Sequence, residues 1–349
     1  MVTVIFFLSS GLFLGWSLGA NNAANFFGSA VATRMISFRT AAIVCSVFVI
    51  LGAVISGAGA ADTLGKLGSI STLPGAFVVA LSAAISSLIM TRAGIPISTS
   101  QAIVGGIIGW NLYAHMATDQ QALYKIAGTW IFSPVLTAVT AVFLFHIFRH
   151  IAEKSRIHLL SMDHYTRLAL IIVGAFGSYS LGANNIGNVV GIFIASSPFK
   201  DFTIFGFLHI SAVQQLFFLG AVAIAVGVFT YSKRVMMTVG EGIFKLSPVT
   251  ALVVVLSTSI TLFLFASVGL RHFLLSHHLP AFPLVPVSSS QAIVGAVMGI
   301  SIAKGGRNIN FKKIGHIGLG WIITPILSAV IAYFTLFFMQ NVFLQNVVS

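Results

Sequence analysis

Residues 17–28 read SLGANNAANFFG and residues 180–191 read SLGANNIGNVVG, identical at eight of twelve positions. A second block, PISTSQAIVGGIIG at 96–109, returns as PVSSSQAIVGAVMG at 286–299 with nine of fourteen positions identical. A third, WIFSPVLTAV at 130–139, returns as WIITPILSAV at 321–330. Three polar blocks repeated in the same order make the chain an internal duplication, and self-similarity of this kind decides the architecture before any local propensity does.

The duplication is set in an apolar chain. Of 349 residues 57% are hydrophobic and 7% charged, with a mean hydropathy of +1.03, whereas a soluble domain carries roughly 25% charged residues. So few charges cannot keep a globule of this size wet, which excludes a soluble protein and points to lipid. The net charge of +12 does not indicate nucleic acid, because the 18 lysines and arginines are scattered between apolar runs and form no basic stripe. Cys45 is alone, which excludes disulfides and cysteine metal sites, and reads as a small buried hydrophobe. The first apolar run has neither a basic leader nor a small-residue cleavage site and reads as a retained span.

Ten stretches of at least 22 residues contain no Asp, Glu, Lys or Arg: 1–33, 40–61, 67–91, 93–118, 126–148, 168–199, 202–232, 246–270, 272–303 and 314–349. Each is long enough for a helical crossing, which needs roughly 20 apolar residues. With the N-terminus outside, fourteen Lys and Arg residues fall inside and four, Lys66, Lys125, Lys200 and Arg271, fall outside, a bias that sets orientation. The expected fold class is an all-α integral membrane protein of about ten crossing segments with broken helices. The repeated blocks fall on crossings one and six, four and nine, and five and ten. Five crossings per unit is an odd number, so unit 161–349 is inverted relative to unit 1–160, the plan of secondary transporters.

The same blocks say where helices break. Gly-Ala-Asn-Asn at 19–22 and 182–185 is expected to start a half-helix inside a long stretch. Ser98 with Gln101, and Ser288 with Gln291, following Pro96 and Pro286, fit capping boxes. Pro134 and Pro325 are expected to interrupt the third pair of spans. Segments 93–118 and 272–303 read equally as crossing or re-entering.

Helix starts present unpaired N–H groups and partial positive charge, which suit an oxyanion. The anion candidates are Ser98, Thr99, Ser100 and Gln101 with their mates Ser288, Ser289, Ser290 and Gln291. Asn21, Asn22 and Asn25 with Asn184, Asn185 and Asn188 add carboxamides at helical spacing. Singly, such residues read as caps or interhelical hydrogen bonds; as a duplicated set they read as a binding site.

The duplicated Gly-Ala-Asn-Asn-x-x-Asn and Pro-x-Ser-x-Ser-Gln blocks resemble the paired signatures of the inorganic phosphate transporter (PiT) family, over nearly the whole chain. The resemblance implies an inverted-repeat fold that moves phosphate with sodium or protons. It assigns the Ser/Thr/Gln positions to the anion and the six asparagines to the cation site or to gating. The family's signature ends in Asp where this chain has Asn22 and Asn185, and all six acids (Asp62, Asp119, Glu153, Asp163, Asp201, Glu241) fall outside the ten stretches. A cation there would be held by amide and carbonyl oxygens, with no formal charge to offset its desolvation. Asn and Gln both donate and accept, so phosphate and sulfate are both admitted as substrates.

No resident cofactor is expected, and no metal beyond a co-transported sodium ion. The partners expected are inorganic phosphate or sulfate, membrane lipid and a second copy of the chain in a homo-oligomer, with no nucleic acid. The location expected is the bacterial inner membrane. His209 reads as interfacial, His277 and His278 as solvated, and His146, His150, His158 and His164 as part of the basic inner segment. An embedded enzyme would need an acid–base or nucleophile pair at depth, and no uncharged stretch offers one. A donor-lined channel is the other alternative; inverted, broken repeats favour alternating access over it.

Overall fold

The computed structural model describes residues 2–68, 70–92, 97–154, 159–204, 208–238, 247–305 and 311–348. Pro96, His158, Glu241 and the basic residues Arg156, Lys245 and Arg307 lie outside them. The first half runs α1 (Val2–Asn22), α2 (Ala24–Ala32), α3 (Phe38–Ser56), α4 (Ala58–Leu67), α5 (Leu73–Arg92), α6 (Thr99–Tyr113) and α7 (Gln120–Lys154). The second half runs α8 (Leu159–Val190), an antiparallel hairpin of β1 (Phe202–Ile204) and β2 (Leu208–Ile210), then α9 (Ala212–Thr230), α10 (Ser232–Thr238), α11 (Pro248–Ala266), α12 (Val268–Ser276), α13 (Ser289–Ala303) and α14 (Phe311–Asn341).

Among the described residues eight helical segments are long and apolar enough to cross a membrane, and they account for eight of the ten uncharged stretches. The other two stretches, 93–118 and 272–303, hold α6 and α13, of fifteen residues each. At 1.5 Å per residue these span about 22 Å, against roughly 30 Å of hydrocarbon. Both begin at buried serines, Ser98 and Ser288, and α13 is reached through a segment without helix or strand over 279–288. They are therefore half-length helices that start in the interior, with their N-terminal ends inside the protein.

Three local expectations are corrected. In the first half α1 ends at Asn22 and α2 resumes after a single-residue turn at Ala23, but α8 runs without interruption through 182–185. There Gly182 serves packing instead: a Cβ on it would run into the carbonyl of Val49. Helices α7 and α14 likewise continue through Pro134 and Pro325, which bundle helices tolerate when neighbours close over the freed backbone. At each proline the neighbouring half-helix comes close, Gly295 packing against the Pro134 carbonyl and Gly105 against that of Pro325. The stretch 202–232 also holds the short β-hairpin, with the exposed His209 opposite Thr203.

The principal helix pairs join one half to the other, and each has a mirror. Helix α3 packs on α8 as α9 packs on α1, and α6 packs on α14 as α13 packs on α7. Glycines mark every pair: Gly52 meets the Tyr179 carbonyl and Gly227 that of Trp16, while Gly109 and Gly299 meet those of Ala329 and Ala138. Small residues let membrane helices approach backbone to backbone, where dispersion replaces the absent hydrophobic drive. The pairing also exposes a fourth repeat, VVALS at 78–82 in α5 against VVVLS at 253–257 in α11. Large apolar side chains of α7 and α14, such as Ile131, Phe143, Ile322 and Phe334, stay exposed, forming a surface suited to lipid.

Replacing Gly105 or Gly295 with Ala forces the proline carbonyl away and is expected to cost about 1–3 kcal/mol. Thermal unfolding in detergent should show both variants lowered, while Gly315→Ala in α14, with nothing within 4 Å of the added Cβ, should be neutral.

Candidate anion site

The site grows from the two interior helix starts. Ser98 adopts extended backbone (φ −109°, ψ 108°) and its Oγ accepts the N–H of Gln101 at 3.3 Å; Ser288 Oγ accepts that of Gln291 at 3.2 Å. This is half of a capping box. The returning half, from glutamine side chain to cap N–H, is not formed among the described residues, and Gln101 Oε1 and Gln291 Oε1 are buried without a partner. A complete box does form at the start of α9, between Ser211 and Gln214, where the same Ser-x-x-Gln spacing gave a signal that the sequence reading passed over. At α6 and α13 the glutamines are left free for something else.

The two starts adjoin. Ser100 Oγ donates to the carbonyl of Val287, the residue before the Ser288 cap, at 3.3 Å. The asparagine block of each half reaches the serine block of the other: Asn188 Nδ2 donates to Ser100 Oγ at 2.9 Å, and Asn25 Nδ2 to Ser289 Oγ at 3.4 Å. Ser288 and Ser290 share a hydroxyl bond at 3.0 Å. Asn184 pins the run ahead of α13, its Oδ1 accepting the Val287 N–H at 2.9 Å and its Nδ2 donating to the Val285 carbonyl at 3.4 Å. These backbone partners left no mark in the sequence.

The remaining asparagines are placed differently. Asn21 Nδ2 donates to Thr91 Oγ1 and the Ser17 carbonyl, so its partners lie on α5 and α1. Asn22 is buried, and among the described residues its side chain has no hydrogen-bond partner. Asn185 Nδ2 donates to the Leu181 carbonyl at 3.3 Å, which turns its Oδ1 toward Asn188 and makes Asn188 the donor at 3.0 Å. Both Asn188 bonds use the amide nitrogen, and its Oδ1 is left buried and unpaired.

All eight Ser, Thr and Gln candidates are buried. None of the bonds recorded for them or for the asparagine cluster involves a charged group. An anion here would be held by hydroxyl, amide and backbone N–H donors at two helix starts, each carrying a partial charge of about +0.5. Among the described residues no three His, Cys, Asp or Glu side chains group as metal ligands.

The sequence pattern of the phosphate transporter family matches residues 18–162, 152–271 and 281–349. The chain belongs to this family. Within the transporter family's range, a Methanocaldococcus jannaschii protein named "Putative phosphate permease" is 28% identical over 324 residues, covering 92% of this chain and 93% of the relative. The sulfate permease CysP of Bacillus subtilis is 29% identical over 328 residues, covering 92% and 84%. A solved structure titled as the sodium-dependent phosphate transporter superposes with a TM-score of 0.75 at 22% identity, covering 97% of this chain and all of that one. That likeness establishes that this phosphate transporter family member has the transporter's fold.

Removing the Asn184 amide strands a buried N–H and a buried carbonyl, each worth about 1–3 kcal/mol. Asn184→Ala should therefore lower the unfolding temperature, and protease protection of the 279–288 segment should fall with it.

Proposed function

We propose that this phosphate transporter family member is a secondary transporter that carries inorganic phosphate across the bacterial cytoplasmic membrane by alternating access. The two repeats, 1–160 and 161–349, interleave, so the bodies that move are the cross-repeat pairs, α6 with α14 against α13 with α7, about the paired starts of α6 and α13, with the N-terminus and Lys66, Lys125 and Arg271 outside. The cycle moves its substrate without making or breaking a covalent bond. The substrate site is Ser98–Gln101 with Ser288–Gln291.

The observation that carries the substrate choice is the set of three buried acceptors, Gln101 Oε1, Gln291 Oε1 and Asn188 Oδ1, left unpaired among donors. Phosphate near neutral pH keeps one or two protons and can donate to such oxygens. Sulfate has none to give and would leave every acceptor stranded beside its own lone pairs. Buried groups that a competitor leaves unpaired are the strongest means of rejecting it.

Sulfate is the second reading, supported by the similarity to a sulfate permease and by Asn22 and Asn185 standing where the family signature has Asp. For coupling, sodium or protons are the candidates. Asn22, buried next to the single turn residue Ala23 between α1 and α2, offers a neutral oxygen, a donor type that fits sodium.

Purified protein in liposomes should accumulate labelled phosphate, with competition by arsenate and little by sulfate. Gln101→Met and Gln291→Met keep side-chain length but remove an acceptor, and should raise the sulfate-to-phosphate uptake ratio about tenfold, the equivalent of about 1.4 kcal/mol. Sulfate uptake indifferent to excess phosphate would overturn the substrate assignment. With sodium and proton gradients imposed in turn, Asn22→Asp should alter sodium dependence; an unchanged dependence removes Asn22 from the cation site.

A further inference from the structure

A cavity of about 720 Å³ lies where α4, the start of α7, α12 and the irregular run before α13 meet. It is lined by Lys66, Lys125 and Arg271, contributed by three separate elements. In a chain with only 18 basic residues, these are three of the four that the charge bias places outside. The fourth, Lys200, is not among the residues lining the cavity.

The charges in this cavity are unevenly committed. Lys66 pairs with Asp62 at 2.7 Å. Asp119 Oδ1 accepts the Ala122 N–H at 3.0 Å, capping the start of α7. Lys125 and Arg271 have no carboxylate partner among the described residues. Two cations without a carboxylate partner therefore line a concave space and raise the local concentration of anions there.

The floor of the cavity connects it to the site. Leu284 and Val285 line it. The Leu284 carbonyl accepts from Thr63 Oγ1, the Val285 carbonyl accepts from Asn184 Nδ2, and the Val287 carbonyl accepts from Ser100 Oγ. One run of irregular backbone, 284–287, thus touches both the cavity and the cluster of Ser100, Asn184 and Asn188.

We propose that this cavity is a vestibular oxyanion site, in which Lys125 and Arg271 capture a phosphate-class anion from the outer solution before it passes the 284–287 backbone. The inference rests on the oxyanion reading of the serine and asparagine cluster. Exposed cations act here through local concentration, so the contribution is to capture and is screened by salt. The chemistry recognised is a phosphate group, supplied either by free phosphate or by a lipid headgroup.

The test is initial-rate phosphate uptake by the full chain in liposomes, comparing unaltered protein with Lys125→Gln, Arg271→Gln and the double variant at low and high salt. At low salt the double variant should show KM raised about 3- to 10-fold with kcat unchanged, the difference vanishing at high salt. The charge-preserving pair Lys125→Arg and Arg271→Lys should behave as the unaltered protein, which controls for folding. An unchanged KM at low salt, or an effect that survives high salt, overturns the vestibule while leaving the substrate site standing. A KM effect seen only in vesicles containing anionic phosphatidylglycerol, and absent in pure phosphatidylcholine, would show a lipid-binding groove and also overturn it. If the unaltered protein takes up neither phosphate nor sulfate, the reading of the central site falls, and the vestibule with it.

Discussion

The contact between Ser100 Oγ and the Val287 carbonyl brings two helix starts from opposite halves of the chain to one place inside an apolar protein. Each start carries N–H groups that its own helix cannot satisfy, and lipid offers them nothing. Such an arrangement persists only if hydroxyls and amides of the chain close around it, or if a ligand does. Ser98 and Ser288 perform part of the first task by accepting the Gln101 and Gln291 N–H groups, while the asparagines of α2 and α8 reach across and donate to Ser289 and Ser100. What they leave over defines what the ligand must supply.

That remainder is asymmetric in kind. Hydroxyl and N–H donors are plentiful, as any oxyanion requires. Three side-chain oxygens, of Gln101, Gln291 and Asn188, stay unpaired, and on the proposed reading they favour a ligand that carries a proton. The direction of the amides follows from a short chain of bonds: the Leu181 carbonyl can only accept, so Asn185 turns its oxygen to Asn188, which must then donate.

The framework around the site is rigid where alternating access needs rigidity. Helix pairs α6 with α14 and α13 with α7 approach closely through Gly105, Gly109, Gly295 and Gly299 against facing backbone. Each such pair joins an interior half-helix of one repeat to a long, lipid-facing helix of the other. Motion of one pair against its mirror would carry a helix start with it while the close contacts hold. The Asn184 and Thr63 bonds fasten the backbone run between the cavity and the cluster of Ser100, Asn184 and Asn188.

Much of this was legible in residue patterns. Uncharged stretches marked the membrane segments, because charge in hydrocarbon is expensive at every position. The duplicated blocks showed the inverted plan and singled out the serines, glutamines and asparagines, because their repetition does not depend on knowing any contact. Local reading failed where tertiary packing outweighs propensity: α8 runs on through Gly182, against which the Val49 carbonyl packs, and α7 and α14 run on through Pro134 and Pro325, against which Gly295 and Gly105 pack. Whether the second glutamine oxygen caps a helix or stays free, which half serves which, and which lysines share a cavity depend on the register between helices far apart in sequence. The chain alone determined that the protein lies in a membrane, is duplicated and is lined with uncharged donors. Only the tertiary structure decided which of those polar groups are already paired, since pairing is set by distances across helices that composition and spacing do not encode.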